Sequence, residues 1–232
     1  MTIDAVVLDW YGTLGQPLAG DVWTRLPGLV RDAGGSFDEE AGRAFWADHP
    51  TDHVEHSADR DNYEAFQAER MATLFARCQV PERAVEALIE AVAAERYARV
   101  FPLYDDVVGH LESLQAQGTT IGVCSNWDWN LQDQFDAHGI GHLFNGVVCS
   151  AIVGYTKPHP RIFDAVVRDI GVNPATTLFV GDTWEADIEG SAAAGFRPVH
   201  IVRRGSCEVD DHGEIPCING LGELLDLTTR NT

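Results

Sequence analysis

A chain of 232 residues, 45% of them hydrophobic, is long enough to bury a full α/β core, either as one domain with a sizeable insertion or as two domains. Asp and Glu number 36 against 16 Lys and Arg, a formal charge of −20. With no basic run, this argues against nucleic acid and anionic membrane surfaces as partners and favours a small molecule. The N-terminus, MTIDAVVLDW, lacks a basic region leading into a long apolar segment, and nowhere do eighteen apolar residues run together. The expectation is a cytoplasmic protein with no membrane partner.

The first element is Ala5 to Leu14, AVVLDWYGTL, an apolar run that ends in a carboxylate and breaks at Gly12. This is the pattern of a buried strand that delivers Asp9 to its carboxyl end. Residues 15–100 then carry four helical patterns with no strand-like run between them: 20–33, 37–48, 61–78 and 81–99. The last opens on Pro81 and sets Val85, Leu88, Ile89 and Val92 on one face. We read 15–100 as an all-helical insertion. Within it His49, His53 and His56 stand among acids, and a solvated loop is the preferred reading because no other ligand residues converge by spacing.

From Phe101 onward helices and strands alternate, the signature of a parallel sheet. Helix 105–117 ends at Gly118 and leads to the strand TIGVC; helix 129–138 leads to NGVVCS; helix 158–170 leads to TLFVG; helix 185–194 ends at Gly195 and leads to PVHIV; a short helix at 221–227 closes the chain. The expected fold is α/β: a doubly wound, Rossmann-like parallel sheet from residues 1–14 and 101–232, carrying the helical insertion.

The five cysteines are Cys78, Cys124, Cys149, Cys207 and Cys217. Cys124 and Cys149 lie in strand-like runs, and free core thiols are the preferred reading. The stretch SCEVDDHGEIPC holds Cys207, His212 and Cys217 and could in principle bind a metal or close a disulfide, but its spacing matches no standard zinc pattern. Among sixteen basic residues Lys157 is the only lysine, set in the turn-rich GYTKPHP before a helix. A compact point charge retained there points to a specific use.

Three strands end in polar residues: AVVL in Asp9, IGVC in Ser125 and Asn126, LFVG in Asp182. Ligands of a doubly wound sheet bind beyond the carboxyl ends of its strands, so these residues are expected to share one crevice, with Asp187 at the start of the next helix. Three carboxylates against Lys157 alone cannot all ionise cheaply without more positive charge. A divalent cation is implied, and all-oxygen ligands favour Mg2+ over zinc.

Taken together, DWYGT, VCSN, GYTKP and GDTWEAD resemble, in order, the four motifs of the haloacid dehalogenase (HAD) superfamily, over essentially the whole chain. The helical insertion is similar to the C1 cap that closes over the active site in part of that superfamily. SNWDWNL and GDTWEADIEGSAAAGF look most like its rhythmically-expressed-gene-2-like branch. The resemblance implies Asp9 as nucleophile, forming an aspartyl phosphate, with Ser125 and Lys157 holding phosphoryl oxygens. Asn126 would assist in substrate binding and Thr13 would orient the loop. Magnesium would sit on Asp9, Asp182 and the main-chain carbonyl of Tyr11, with Asp187 supporting the metal or Lys157. Trp10, Trp127, Trp129 and Trp184, all near the motifs, are read first as packing.

One departure divides the reading. Phosphatases of the superfamily carry a second Asp two residues after the nucleophile to protonate the leaving group; here the residue is Tyr11, as in the 2-haloacid dehalogenases. Motif I therefore points to dehalogenation, while Asp182 in motif IV points to metal-assisted phosphoryl transfer. A phenol could still donate the proton, which keeps Tyr11 among the catalytic candidates. The expectation is a magnesium-dependent hydrolase of a small phosphorylated metabolite. The alternatives are a metal-free 2-haloacid dehalogenase using Asp9, and a non-catalytic binding protein. A phosphonate-cleaving mechanism through a cap lysine is excluded, because the insertion contains no lysine.

Overall fold

A computed structural model describes residues 2–47, 49–205, 207 and 213–229. The chain divides into two units, Met1–Pro17 with Phe101–Thr232, and Leu18–Val100. In the first, strands β1 (Ala5–Leu8), β2 (Thr120–Ser125), β3 (Gly146–Cys149), β4 (Thr177–Gly181), β5 (Arg197–Ile201) and β6 (Cys217–Ile218) form one sheet in the order β3-β2-β1-β4-β5-β6. Every described pairing is parallel. All four residues of β1 are buried, as they must be in a central strand covered on both faces. The chain steps from β1 through β2 to β3 on one side, then crosses to β4 on the other. The topological switch point therefore lies between β1 and β4. Leu8 is level with both Val123 and Val180, so the residues beyond all three strands emerge at the same edge.

The second unit is helical throughout its described residues: α1 (Val22–Asp32), α2 (Glu39–Ala47), a 3₁₀ turn at Val54–His56, α3 (Arg60–Arg77) and α4 (Glu82–Ala98). The Asp21 and Asp59 carboxylates accept the backbone N–H groups of Thr24 and Asn62 at 2.8 and 2.9 Å. Such caps contribute about 1 kcal/mol each. The unit has its own core, in which Leu26 and Val30 of α1, Phe45 of α2, Met71 and Phe75 of α3 and Val92 of α4 are buried together. The histidine stretch is not the solvated loop expected. His53 is only 1% exposed, and His56 stacks on Phe66 of α3 with ring centroids 4.3 Å apart. The apolar faces of the imidazoles pack on an aromatic ring that the spacing of polar residues does not reveal.

Returning to the sheet unit, its helices are α5 (Val107–Ala116), α6 (Leu131–His138), α7 (Ser150–Val153), α8 (Pro160–Ile170), α9 (Gly190–Ala193) and α10 (Leu221–Thr229). α8 buries Ile162, Phe163, Ala165 and Val166 against Val7, Cys124, Val148 and Phe179 of the sheet. Burying each large apolar side chain is worth about 1.5–3 kcal/mol. Three sequence expectations change. The helix expected over 185–194 is a π-helical turn, Trp184–Glu189, running into the short α9, because the Asp187 carboxylate folds back on the Thr183 N–H at 3.0 Å and widens the turn. A two-residue β6, too short to leave a pattern, extends the sheet. Its pairing with β5 brings Cys217 to Cys207, and these two form a disulfide with Cα atoms 5.7 Å apart instead of remaining free thiols. Cys78, Cys124 and Cys149 are free and buried. His212 lies outside the described residues. Among the described residues no helix is long and apolar enough to cross a membrane.

Candidate active site

Beyond Leu8 the backbone keeps parallel register for one more residue, the Asp9 N–H donating to the Val180 carbonyl at 2.9 Å. It then folds on itself. The Leu14 and Gly15 N–H groups both donate to the Trp10 carbonyl at 2.8 Å, which draws residues 10–15 into a tight loop at the switch point. Gly12 has φ +81°, and a Cβ there would lie 2.2 Å from Asp182 Oδ2. The residue type is thus required twice, by a left-handed backbone and by the approach of the loop to the carboxylate after β4. Gly181 plays the matching part on β4, where a Cβ would fall 2.2 Å from Asp187 Cγ.

The side chains form a connected set. Asp9 Oδ1 accepts from Ser125 Oγ at 2.9 Å and from Lys157 Nζ at 2.6 Å. Lys157 Nζ also donates to Asp187 Oδ1 at 2.6 Å and to the Cys124 carbonyl at 2.9 Å, so all three of its donors are used. Asp187 Oδ2 accepts the Thr183 N–H at 3.0 Å, so each oxygen of Asp187 accepts one hydrogen bond. Asn126 binds the backbone of Lys157 at both ends: its Nδ2 donates to the Lys157 carbonyl at 3.0 Å and its Oδ1 accepts the Lys157 N–H at 2.7 Å. Its geometry is that of a brace for Lys157. Thr13, expected to orient the loop, is fully buried, and its hydroxyl makes no hydrogen bond among the described residues.

Electrostatically the cluster is short of positive charge. Carboxylate oxygens of Asp9, Asp182 and Asp187 lie within 4.8 Å of one another. Burial works against the charge on Lys157, but Asp187 and Asp9 outweigh it and hold the ammonium above its usual range. Burial pushes Asp187 above the usual carboxylate range, with Lys157 pulling it back. Among the described residues Asp182 makes no ion pair. Desolvation, then the charges of Asp9 and Asp187, push it up to about 7, even though part of the residue faces solvent. Three carboxylates against one ammonium, an all-oxygen donor set and a loop shaped by glycine to abut Asp182 together fit a hard divalent cation, whose charge would reverse the upward pressure on Asp182.

An Arg203 clamp escaped the sequence reading. Arg203 Nε and Nη2 donate to the Thr13 carbonyl at 2.9 and 2.7 Å, and Nη1 donates to both Asp106 oxygens at 2.9 and 2.8 Å. Asp106 also accepts the Leu221 N–H at the start of α10, so one guanidinium ties the loop after Asp9 to two helix ends. The partners are 97 and 190 residues from Arg203 in sequence, and no local pattern joins them. Of the tryptophans, Trp10 is fully buried and meets Trp127 and Phe135 edge-on, while Trp127, Trp129 and Trp184 are half-buried.

A family model described as haloacid dehalogenase-like hydrolase matches residues 3–195. Among curated proteins, a phosphoserine phosphatase of Thermus thermophilus is 36% identical over 124 residues, covering 53% of this chain and 49% of that protein. A glyceraldehyde 3-phosphate phosphatase of Methanopyrus kandleri is 36% identical over 149 residues, covering 62% and 63%. The chain thus spans about half to under two thirds of the length of these relatives. A 2-haloacid dehalogenase structure from Pseudomonas syringae superposes with a TM-score of 0.66 over 98% of this chain and 99% of that one; at 20% identity the likeness is one of fold.

Proposed function

Because the chain belongs to the haloacid dehalogenase-like hydrolase family, we propose that it is a magnesium-dependent phosphatase of small phosphorylated molecules, with Asp9 as nucleophile. The observation that carries this reading is the carboxylate surplus at the switch point, Asp9, Asp182 and Asp187 against Lys157 alone. A halide-displacing carboxylate gains nothing from a second, metal-seeking carboxylate at its side, whereas an anionic phosphate needs the positive charge that such a set recruits. Magnesium would be held by Asp9, Asp182 and the Tyr11 carbonyl and would supply charge neutralisation between nucleophile and phosphate. Asp187, bonded to Lys157 Nζ through Oδ1, supports the site through Lys157. The relatives named for phosphoserine and glyceraldehyde 3-phosphate support a phosphate monoester as the substrate.

The chain's own residues account for the order of events. Ser125 and Lys157 both donate to Asp9 Oδ1, and Oδ2 accepts no hydrogen bond among the described residues. The carboxylate is thereby oriented with one oxygen toward phosphorus. Attack forms the Asp9–phosphorus bond as the leaving-group oxygen departs with its electron pair, and water then hydrolyses the acyl phosphate to regenerate Asp9. The same Ser125 and Lys157 donors can pass to the phosphoryl oxygens as charge moves onto them.

Tyr11 favours a second reading, metal-free 2-haloacid dehalogenation. The purified protein, assayed on phosphate monoesters with and without Mg2+ and on 2-haloacids for halide release, separates the two. We expect phosphate release that is lost with EDTA. Halide release indifferent to EDTA, with no phosphate release, would replace this reading by the second.

A further inference from the structure

Two residues past Asp9 and two past Ser125 stand Tyr11 and Trp127, carried beyond the same sheet edge by strands whose polar ends meet at 2.9 Å. Their rings lie 6.0 Å apart, tilted by 32°. Phe101 completes the set, edge-on to Tyr11 at 5.5 Å and to Trp127 at 5.3 Å. Phe101 is buried; Tyr11 and Trp127 are half-buried. Trp127 is held in place, its indole N–H donating to the buried Asn130 at 3.1 Å and its backbone N–H to Ser150 Oγ at 3.0 Å. The patch is a fixed aromatic surface rather than a set of mobile side chains.

In-line displacement puts the leaving group opposite Asp9, outward from the carboxyl edge of the sheet, and therefore past these rings. The loop from Trp10 to Gly15 offers no carboxylic acid to protonate that group. From these two observations, and resting on the phosphatase reading above, we infer that the preferred substrates are phosphate monoesters of aromatic hydroxyls, the ring packing against Tyr11, Trp127 and Phe101. The bond from Asp9 Oδ2 to phosphorus forms as the phosphorus–oxygen bond to the ring breaks. The electron pair leaves with the aryl oxygen as a phenolate, which takes its proton from solvent. A phenol has a pKa of about 10, well below that of an alcohol, so the aryl ester leaves without the help that an alkyl ester requires.

The test compares phenyl phosphate, acetyl phosphate and glycerol 1-phosphate with Mg2+ present. Acetyl phosphate has a good leaving group but no ring, and so isolates packing from leaving-group strength. We expect kcat/KM for phenyl phosphate to exceed that for glycerol 1-phosphate by about 10² or more, the usual worth of a general acid. In Trp127→Leu the ratio of phenyl to acetyl phosphate kcat/KM should fall about 2- to 10-fold, the range of an aromatic pair, and Trp127→Phe should restore it. Phe101→Leu supplies the same ratio test if Trp127→Leu does not fold. An unchanged ratio in the leucine variants, or equal rates on phenyl and glycerol esters, overturns the aromatic preference and leaves the phosphatase reading standing. If none of the three phosphates is hydrolysed, the phosphatase reading itself sinks.

Discussion

At Asp182 two pressures act in the same direction: loss of water around the carboxylate, and the negative charges of Asp9 and Asp187 beside it. Its value in the fold is raised to about 7 from the ordinary 3.8, so the metal-free protein binds more protons there than the unfolded chain does between those limits. By linkage the contribution is destabilising as pH rises through that window and is fully present above it. Asp182→Asn should therefore raise the Tm of the metal-free protein at pH 8 by about 2–4 °C, the shift expected for roughly 1 kcal/mol once solvent screening at this exposed carboxylate is allowed for. Magnesium should reverse the ranking. Wild type gains about 2.7 kcal/mol at 100 times the dissociation constant, whereas the variant gains nothing. A variant that Mg2+ stabilises as much as wild type would remove Asp182 from the metal site. Asp182 was legible because a hydrophobic strand ran straight into it, as were Asp9 and Ser125. Arg203 was not, because its importance lies in carbonyl and carboxylate partners far away in sequence. The Cys207–Cys217 disulfide stays one of two options in the sequence for a related reason, since a two-residue strand pairing lies beside the sulfurs it joins.

On the scale of elements, the strands and most helices follow from periodicity, while the places where side chains rewrite the backbone do not. The turn at Trp184–Glu189 is π-helical because Asp187 answers both Lys157 and the Thr183 N–H, a requirement invisible in the apolar pattern of 185–194. The 3₁₀ turn Val54–His56 is a second case. His53, just before it, shares Nδ1 with Ser57 Oγ at 3.1 Å and packs near Tyr63 and Phe66, and its buried Nε2 has no partner among the described residues. Burial holds its value below the usual 6.5; Asp52 opposes this, while His56 and Arg70 add to it. The unfolded chain takes up the proton first as pH falls below 6.5, so this residue contributes stability at neutral pH that is lost on acidification. Wild-type Tm should drop more steeply than that of His53→Phe between pH 7 and pH 5.5, by a difference of up to about 2–4 °C. The comparison cancels the opposite trend from Asp182 and Asp187, which both proteins share. Parallel slopes would show that the turn opens without regard to His53.

For the whole molecule, the α/β class and the parallel sheet follow from alternating elements after Phe101, and each of the two units has a hydrophobic core of its own. The chain leaves and re-enters the sheet unit at one point. Gly15 bridges Leu103 in antiparallel fashion, the Gln16 N–H donates to the Pro102 carbonyl at 2.7 Å, and the Tyr104 N–H donates to the Leu14 carbonyl at 3.0 Å. Residues 14–16 and 102–104 are thus a short ribbon whose ends a tight turn can join. We propose that the helical unit serves turnover and not the metal site, whose residues all lie in the sheet unit. Replacing residues 18–100 by an Asn-Gly turn should then give a folded sheet unit whose thermal transition still shifts upward with Mg2+, since Asp9, Asp182, Asp187 and Lys157 all lie within it. Turnover of a phosphate ester should fall by about 10² or more, the order of loss expected when reacting groups are no longer held and shielded. A shortened chain that does not fold would mean that the two cores are energetically one. If instead it folds, binds Mg2+ and turns over at the wild-type rate, the helical unit has no part in catalysis.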